Sequence, residues 1–452
     1  MSEEKFIIDK YMPALCADAG DRYAIPDSYF TSAVHRGLRN ADGTGVLVGA
    51  TRIGSVRGYT MEDGERVPMD GQLLYRGIRV SDIVESHWKT GTFGYEEVAY
   101  LLLLGTLPRK FEMELFSAMM AEARPLPAGF FDDMILKNPS PDVMNGLARS
   151  ILALYTYDDN PDDRSVENLM AQSVSLIARL PVIVAQTYQV KRHVYDGKSL
   201  YIHRPKDELS LAENFLRLIR KDKSYTPEEA HLLDLMLILH AEHGAGNNSA
   251  FTCRAMSSSG TDTYSAIAGA VGSLKGPLHG GANAKVMEMF RWLNENVDDK
   301  TDDDAVRAAL GKLLDKEGGD GSGKIYGLGH AVYTLSDPRA VAIRRHARDM
   351  AESTGRLEEF EFMERVERLG IELLMARKKD GFPLCANVDF YSGFVYSMLR
   401  IPAELYTPLF AIARIAGWCA HRMEEVLTGG RIMRPAYRAV MERTEYVPLE
   451  AR

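Results

Sequence analysis

Apolar residues recur at three- and four-residue spacing over residues 95–104, 165–190, 209–219, 227–240 and 282–293, and none of these segments shows the strict alternation of a half-buried strand. Each is predicted as a helix. The exception is 45–83 (GVLVGATRIGSVRGYTMEDGERVPMDGQLLYRGIRVSDI), where glycines, β-branched residues and Asp-Gly turns predict a few short strands. Polar breaks at 158–164, 294–304 and 317–324 separate the periodic segments and read as surface loops. The pattern predicts a mostly α fold with a few short N-terminal strands, free of repeats and low-complexity tracts.

At 452 residues the chain can bury a large core, and its length suggests two or three domains with a cleft between them. Apolar runs such as 100–104 and 409–420 are too short to span a membrane or carry an arginine, so no membrane span is predicted. Fifty-four Lys and Arg stand against 63 Asp and Glu, a net charge of −9 that repels nucleic acid and anionic lipid. Any anionic ligand must then be held by a local cluster. The four cysteines, Cys16, Cys253, Cys385 and Cys419, have neither CxxC nor Cys/His finger spacing, so no zinc site and no disulfide framework is expected. The start, MSEEKFIIDKY, is acidic and unlike a secretory or transit leader, which together with the cysteines predicts a cytoplasmic location.

Three common motifs fail on inspection. Residues 318–324 read GGDGSGK, matching the spacing of a phosphate-binding loop, but Ile325 follows where Ser or Thr would hold magnesium, and no apolar strand precedes it. His240 and His243 flank Glu242 in HAEH, which matches neither HExxH nor HxxEH, and no third metal ligand follows. GxSxG is absent, so the common serine-hydrolase elbow is not available.

Other segments carry more chemistry. GPLHGGAN (276–283) turns sharply into the helix predicted from Ala282, with His279 just before it. A helix N-terminus disfavours imidazolium, and a neutral histidine there can donate to a developing oxyanion; a histidine that merely caps a turn is the competing reading. In YGLGHAVYTLSDPRA (326–340), His330 follows a Gly-x-Gly turn that admits a ligand, and Asp337 and Pro338 look like N-cap and first residue of a helix. Arg339 in its first turn hints at a bound anion, or is a surface arginine. In CANVDFYSG (385–393), Asp389 sits between Val388 and Phe390, where desolvation would raise its pKa and strengthen it as a base, against the plainer duty of a turn or cap. Arg414 lies in an apolar helix (TPLFAIARIAGWCA) predicted to be capped by Thr407 and Pro408, and needs an anion or carboxylate partner. Arg434 stands in an irregular loop, GGRIMRPAYR. Two histidines, a carboxylate and three arginines suit proton removal beside a carbonyl and addition of the resulting carbon to a dicarboxylate.

HAEHGAGNNSA, KGPLHGGAN, GLGHAVYTLSDPRA and NVDFYSG, in this order and spacing, are similar to the signature segments of citrate synthases, and the resemblance runs from about Leu73 (LLYRGIRVSDI) to Arg434. It implies that Asp389 abstracts a methyl proton from acetyl-CoA, that His279 hydrogen-bonds the thioester oxygen, and that His330 polarises the ketone of oxaloacetate. His243, Arg339, Arg414 and Arg434 match positions that grip the oxaloacetate carboxylates, Arg434 from a neighbouring subunit, so at least a homodimer is implied. No metal or cofactor is implied, the CoA thioester being a substrate. The implied fold has a large helical domain of residues 1–280 and 391–452 and a small one of 281–390 closing over the active site. Thr334 departs from the family, which often carries Arg or Lys there for the CoA phosphates; Lys378 and Lys379 are alternative suppliers of that charge, and Leu328 and Gly329 complete the expected CoA contacts. The nearest rival reading is a 2-methylcitrate synthase using propionyl-CoA; a non-catalytic family member and a metal-dependent hydrolase built on His240 and His243 stand further off.

Overall fold

The chain resolves by its contacts into two units, residues 1–49 with 434–452, and residues 50–433. The structure is a computed structural model that describes residues 12, 16–17, 19–31, 33–40, 43–63, 65–378 and 381–452. The described residues of the first unit include a short helix, Ala19–Tyr23, two single 3₁₀ turns and isolated bridges such as Arg39 with Gly45. The second is mostly helical, and the division implied at 280 and 390 falls within it.

The predicted strands form an antiparallel meander of β1 (Gly54–Glu62), β2 (Glu65–Tyr75) and β3 (Ile78–Arg79). The register slips between Arg57 and Tyr59, which makes Gly58 the irregular position of β1. The slip lets another segment close in. A Cβ at Gly58 would strike the Val332 carbonyl, and one at Gly71 the Ser336 carbonyl. The strands end sooner than their pattern suggests, because Val80–Thr90 is helical.

Predicted and observed helices agree closely at Tyr95–Leu104 and Pro227–His240, and within a few residues at Val166–Tyr195, Leu211–Ile219 and Ala282–Asn296. Their starts are written in side chains: Ser165, Ser210 and Thr226 accept N–H groups of the first turn, and Ser210 and Thr226 do so in capping boxes. At the centre lies Tyr406–Leu427, buried almost throughout and packed on Tyr95–Leu104, Val166–Tyr195, Pro227–His240, Asn248–Ser258 and Thr263–Lys275. Its N-cap is Leu405, not Thr407. Thr407 instead donates its hydroxyl to the Gly280 carbonyl at 2.9 Å, tying the His279 loop to this helix.

Among the described residues one helix, Val166–Tyr195, is long and apolar enough to cross a membrane by length and composition. Of its most apolar window, 72% is buried inside the protein, as expected for a core helix that is apolar on all sides.

Candidate active site

Two loops carry His330 and Asp389, and they are zipped together. Gly329 N–H donates to the Cys385 carbonyl (2.7 Å), Asn387 N–H to the Gly327 carbonyl (2.8 Å), and the Asn387 amide to the Gly329 carbonyl (2.9 Å), with Leu328 bridged to Ala386. Gly327 and Gly329 adopt positive φ, 84° and 94°, and a Cβ on Gly327 would meet Phe390. Asn387 also caps the helix Val388–Met398 by accepting Asp389 N–H at 3.0 Å. The meander clamps the far side of the His330 loop: Thr334 is buried, and its hydroxyl donates to the carbonyls of Gly58 and Met69.

His330 Nδ1 accepts two backbone N–H groups, from Val332 and Tyr333, each at 3.0 Å. Its neutral form therefore carries the proton on Nε2 and presents that N–H as a donor. The ring stacks on Tyr333 (centroids 4.5 Å) and meets His243 edge-on (5.2 Å). His243 Nε2 is buried without a partner among the described residues, and burial together with Arg339, His330 and Arg414 pushes its pKa far down, so it is neutral.

Asp337 and Pro338 are indeed N-cap and first residue of the helix Pro338–Ser353. Arg339 is not an exposed arginine but is 3% exposed, and the anion beside it is Asp337, which accepts from Nε (3.1 Å) and from a terminal amino group (2.8 Å). Burial opposes its charge, yet Asp337 and Tyr333 hold its pKa above the ordinary guanidinium range. Arg414 is wholly buried; Nε donates to the His240 carbonyl at 2.6 Å, and both terminal amino groups lack a partner among the described residues. Its guanidinium lies 4.7 Å from the Phe410 ring centroid, and burial lowers its pKa to about 10, still charged at neutral pH.

His279 also borders Phe410, at 6.4 Å, and its pKa falls to about 4 through burial first and Arg414 second. Its Nε2 lies 3.0 Å from Ser249 Oγ, which accepts the indole N–H of Trp418 at 3.1 Å and is placed to donate its hydroxyl to Asn247 Oδ1 at 2.9 Å. Asp389 is half-buried as a residue, and desolvation of its carboxylate by surrounding protein, with Asp337, outweighs Arg339 and Arg414 in raising its pKa to about 6. Asn283, in the helix that follows His279, donates its amide to Ser392 in the helix of Asp389.

Sequence reasoning missed a buried group behind these residues. Glu242 is 0% exposed and accepts from Gly244 N–H (2.5 Å) and from Nε2–H of His421 (3.0 Å), whose Nδ1 accepts from Arg254 (3.2 Å). Arg254 in turn pairs with Glu424 and Glu425. Burial alone would raise the Glu242 carboxyl, but His421 and Arg414 hold it below the ordinary carboxylate range, so it faces Arg414 as an anion. Glycine makes the space: a Cβ at Gly417 would fall 2.5 Å from the Glu242 carboxylate. Neither Glu242 nor Ser249 had a sequence signal beyond its place inside HAEHGAGNNSA.

The structure thus gathers His243, His279, His330, Arg339, Asp389 and Arg414, while Arg434 is exposed and belongs to the other unit. Lys378 is half-buried and donates to the Phe382 carbonyl at 2.6 Å; Lys379 lies outside the described residues. Leu328 and Gly329 belong to the zipped loops, with Leu328 packed against Gly370. His240 is a core residue whose Nδ1 lies 2.7 Å from the Met236 carbonyl, and no group of three His, Cys, Asp or Glu suited to a metal occurs among the described residues.

A family model described as "Citrate synthase, C-terminal domain" matches residues 40–436. The chain is 36% identical over 386 residues to a citrate synthase of Synechocystis, covering 85% of this chain and 89% of that protein. It is 33% identical over 394 residues to 2-methylcitrate synthase 1 of Corynebacterium glutamicum, covering 85% and 94%. Among solved structures, the citrate synthase of the thermophilic archaeon Thermoplasma acidophilum, in ternary complex with carboxymethyl coenzyme A and oxaloacetate, superimposes with a TM-score of 0.73 at 26% identity, covering 90% of this chain and 97% of that one.

Proposed function

The chain belongs to the citrate synthase family of acyl-transferring enzymes, and on that premise we propose that it condenses acetyl-CoA with oxaloacetate and water to give citrate and CoA. The observation that carries this reading is Arg414, a wholly buried cation with both terminal amino groups unpartnered among the described residues, set near the equally unpartnered Nε2 of neutral His243. Glu242 offsets the charge of Arg414, but buried N–H groups without an acceptor are costly, and an oxygen ligand completes them. A carboxylate of oxaloacetate does so, and Arg339 draws in the second.

Asp389, ionised above pH 6, takes a proton from the methyl group of the thioester, while His279 hydrogen-bonds the thioester oxygen on which charge develops. For neutral His279 to offer N–H from Nδ1, Ser249 must give its hydroxyl proton to Nε2. The hydroxyl then turns its proton from Asn247 Oδ1 to Nε2, while Trp418 keeps its indole N–H on the serine oxygen. His330, its proton fixed on Nε2, donates to the ketone oxygen as the enol carbon adds to it. Water then cleaves the citryl thioester, releasing citrate and CoA.

The reaction needs no metal or cofactor. The large domain (1–280, 391–452) and small domain (281–390) close on substrate and exclude water until the new bond has formed. Arg434 serves the site of a neighbouring copy in a homodimer or larger assembly, supported by its place outside the unit that holds the other six residues. The cytoplasm suits free thiols and these substrates.

Thiol release from purified protein given oxaloacetate with acetyl-CoA or propionyl-CoA tests the reading. One methylene in the acyl pocket is worth about 1–3 kcal/mol, so kcat/KM should favour acetyl-CoA by about 10-fold or more. A reversed preference assigns the 2-methylcitrate reaction to the same residues, and release from neither overturns the proposal.

A further inference from the structure

A cavity of about 260 Å³ opens between the helices Val80–Thr90, Pro227–His240 and Pro338–Ser353, lined by none of the six gathered residues. Its walls are apolar at Val84, Trp88, Leu235, Ile238 and Met350. Glu228 and Asp349 contribute exposed carboxylates, burial raises Asp234 to about 7, His87 pairs with Glu97, and no lysine or arginine among the described residues lines the cavity. His346 lines the cavity too. It is 5% exposed, packs on Trp88 with ring centroids 4.2 Å apart, and makes no hydrogen bond among the described residues. Burial holds its pKa down, so the neutral ring offers a lone pair as well as an N–H. Asp234 is fixed in place by accepting the backbone N–H groups of Gly94 (2.7 Å) and Tyr95 (3.2 Å).

An aromatic and aliphatic hollow edged by carboxylates, with a buried imidazole left open, complements a flat organic cation: its body against Trp88 and Met350, its N–H donors toward the carboxylates and His346. Two of the three walls also end in the candidate active site. Pro227–His240 finishes at the carbonyl that holds Arg414 Nε, and Pro338–Ser353 begins with the Asp337–Arg339 pair. We propose that this cavity is a regulatory site for a small organic cation, an amine or amidine on an aromatic body, whose occupancy shifts the oxaloacetate-binding ends of these two helices.

Benzamidine is a suitable probe, titrated calorimetrically into the full-length protein beside benzamide, its neutral near-isostere. Saturable one-site binding is expected, about tenfold tighter than benzamide, weakened severalfold in the Glu228→Gln/Asp349→Asn double variant and abolished in Leu235→Trp, which fills the hollow. Both residues of the double variant are exposed, so it keeps the question answerable if Leu235→Trp fails to fold. Saturating benzamidine should also change the KM for oxaloacetate at least about twofold in the parent and not in the double variant. Absence of saturable binding, equal binding of benzamide, or indifference to the double substitution overturns the site; binding with an unchanged KM overturns its regulatory role. The calorimetry stands apart from the proposed reaction, on which only the KM readout rests.

Discussion

Asp389 and Arg414 enter the same poorly solvated surroundings with opposite charges, and burial moves both toward neutrality: the acid up to about 6, the base down to about 10. The sign of the pH effect follows. Asp389 acts only when ionised, so kcat should fall as pH drops through about 6. His279, neutral above about 4, adds no second limb there, and a pH–rate profile without the limb near 6 would remove Asp389 as the base. Asp389→Asn should lower kcat by about 10²–10⁴-fold with oxaloacetate affinity kept. Arg414→Leu should instead weaken oxaloacetate binding by about 2–5 kcal/mol in a calorimetric titration; unchanged affinity would make the arginine structural. Ser249→Ala separates tautomer control from substrate binding, because it removes the partner of His279 Nε2, the acceptor of Trp418 and the donor to Asn247, none of them an oxaloacetate contact in the proposed reaction. It should reduce kcat about tenfold or more at unchanged KM for oxaloacetate.

Among the elements, the meander and the paired loops position the reacting groups. Thr334 stands where the resemblance placed a CoA contact, but its buried hydroxyl joins the His330 loop to β1 and β2. Thr334→Val should therefore destabilise the fold by about 1–3 kcal/mol, seen as a lower denaturation midpoint, with KM for acetyl-CoA unchanged. A raised KM at undiminished stability would return the residue to the CoA site. Sequence pattern located the helices well because apolar spacing and capping side chains are local properties: Asp337 and Pro338 were legible as a helix start. It misplaced the start of Tyr406–Leu427 because Thr407 offers its hydroxyl to Gly280, 127 residues away, and not to its own helix.

For the whole molecule, the placement of Arg434 makes the proposed sharing of sites testable. Asp389→Asn and Arg434→Leu should each inactivate alone, yet refolding the two variants together should restore activity, since a hybrid dimer has one site with both lesions and one with neither. No recovery on mixing, with hybrids confirmed by mass, would place Arg434 in the site of its own chain or in none.

The sequence by itself determined the mostly helical fold, the order of its elements and the four segments holding His243, His279, His330, Arg339 and Asp389, because periodicity, caps and motif spacing lie along the chain. Tertiary structure decided what each residue is next to. It gave Arg339 the Asp337 carboxylate, left the amino groups of Arg414 without a partner among the described residues, paired Glu242 with His421, and turned Thr334 to the meander. The physical reason is that burial and charge pairing depend on groups far apart in sequence. Whether a buried arginine is a neutralised strut or an open anion site is fixed only when the chain has folded around it.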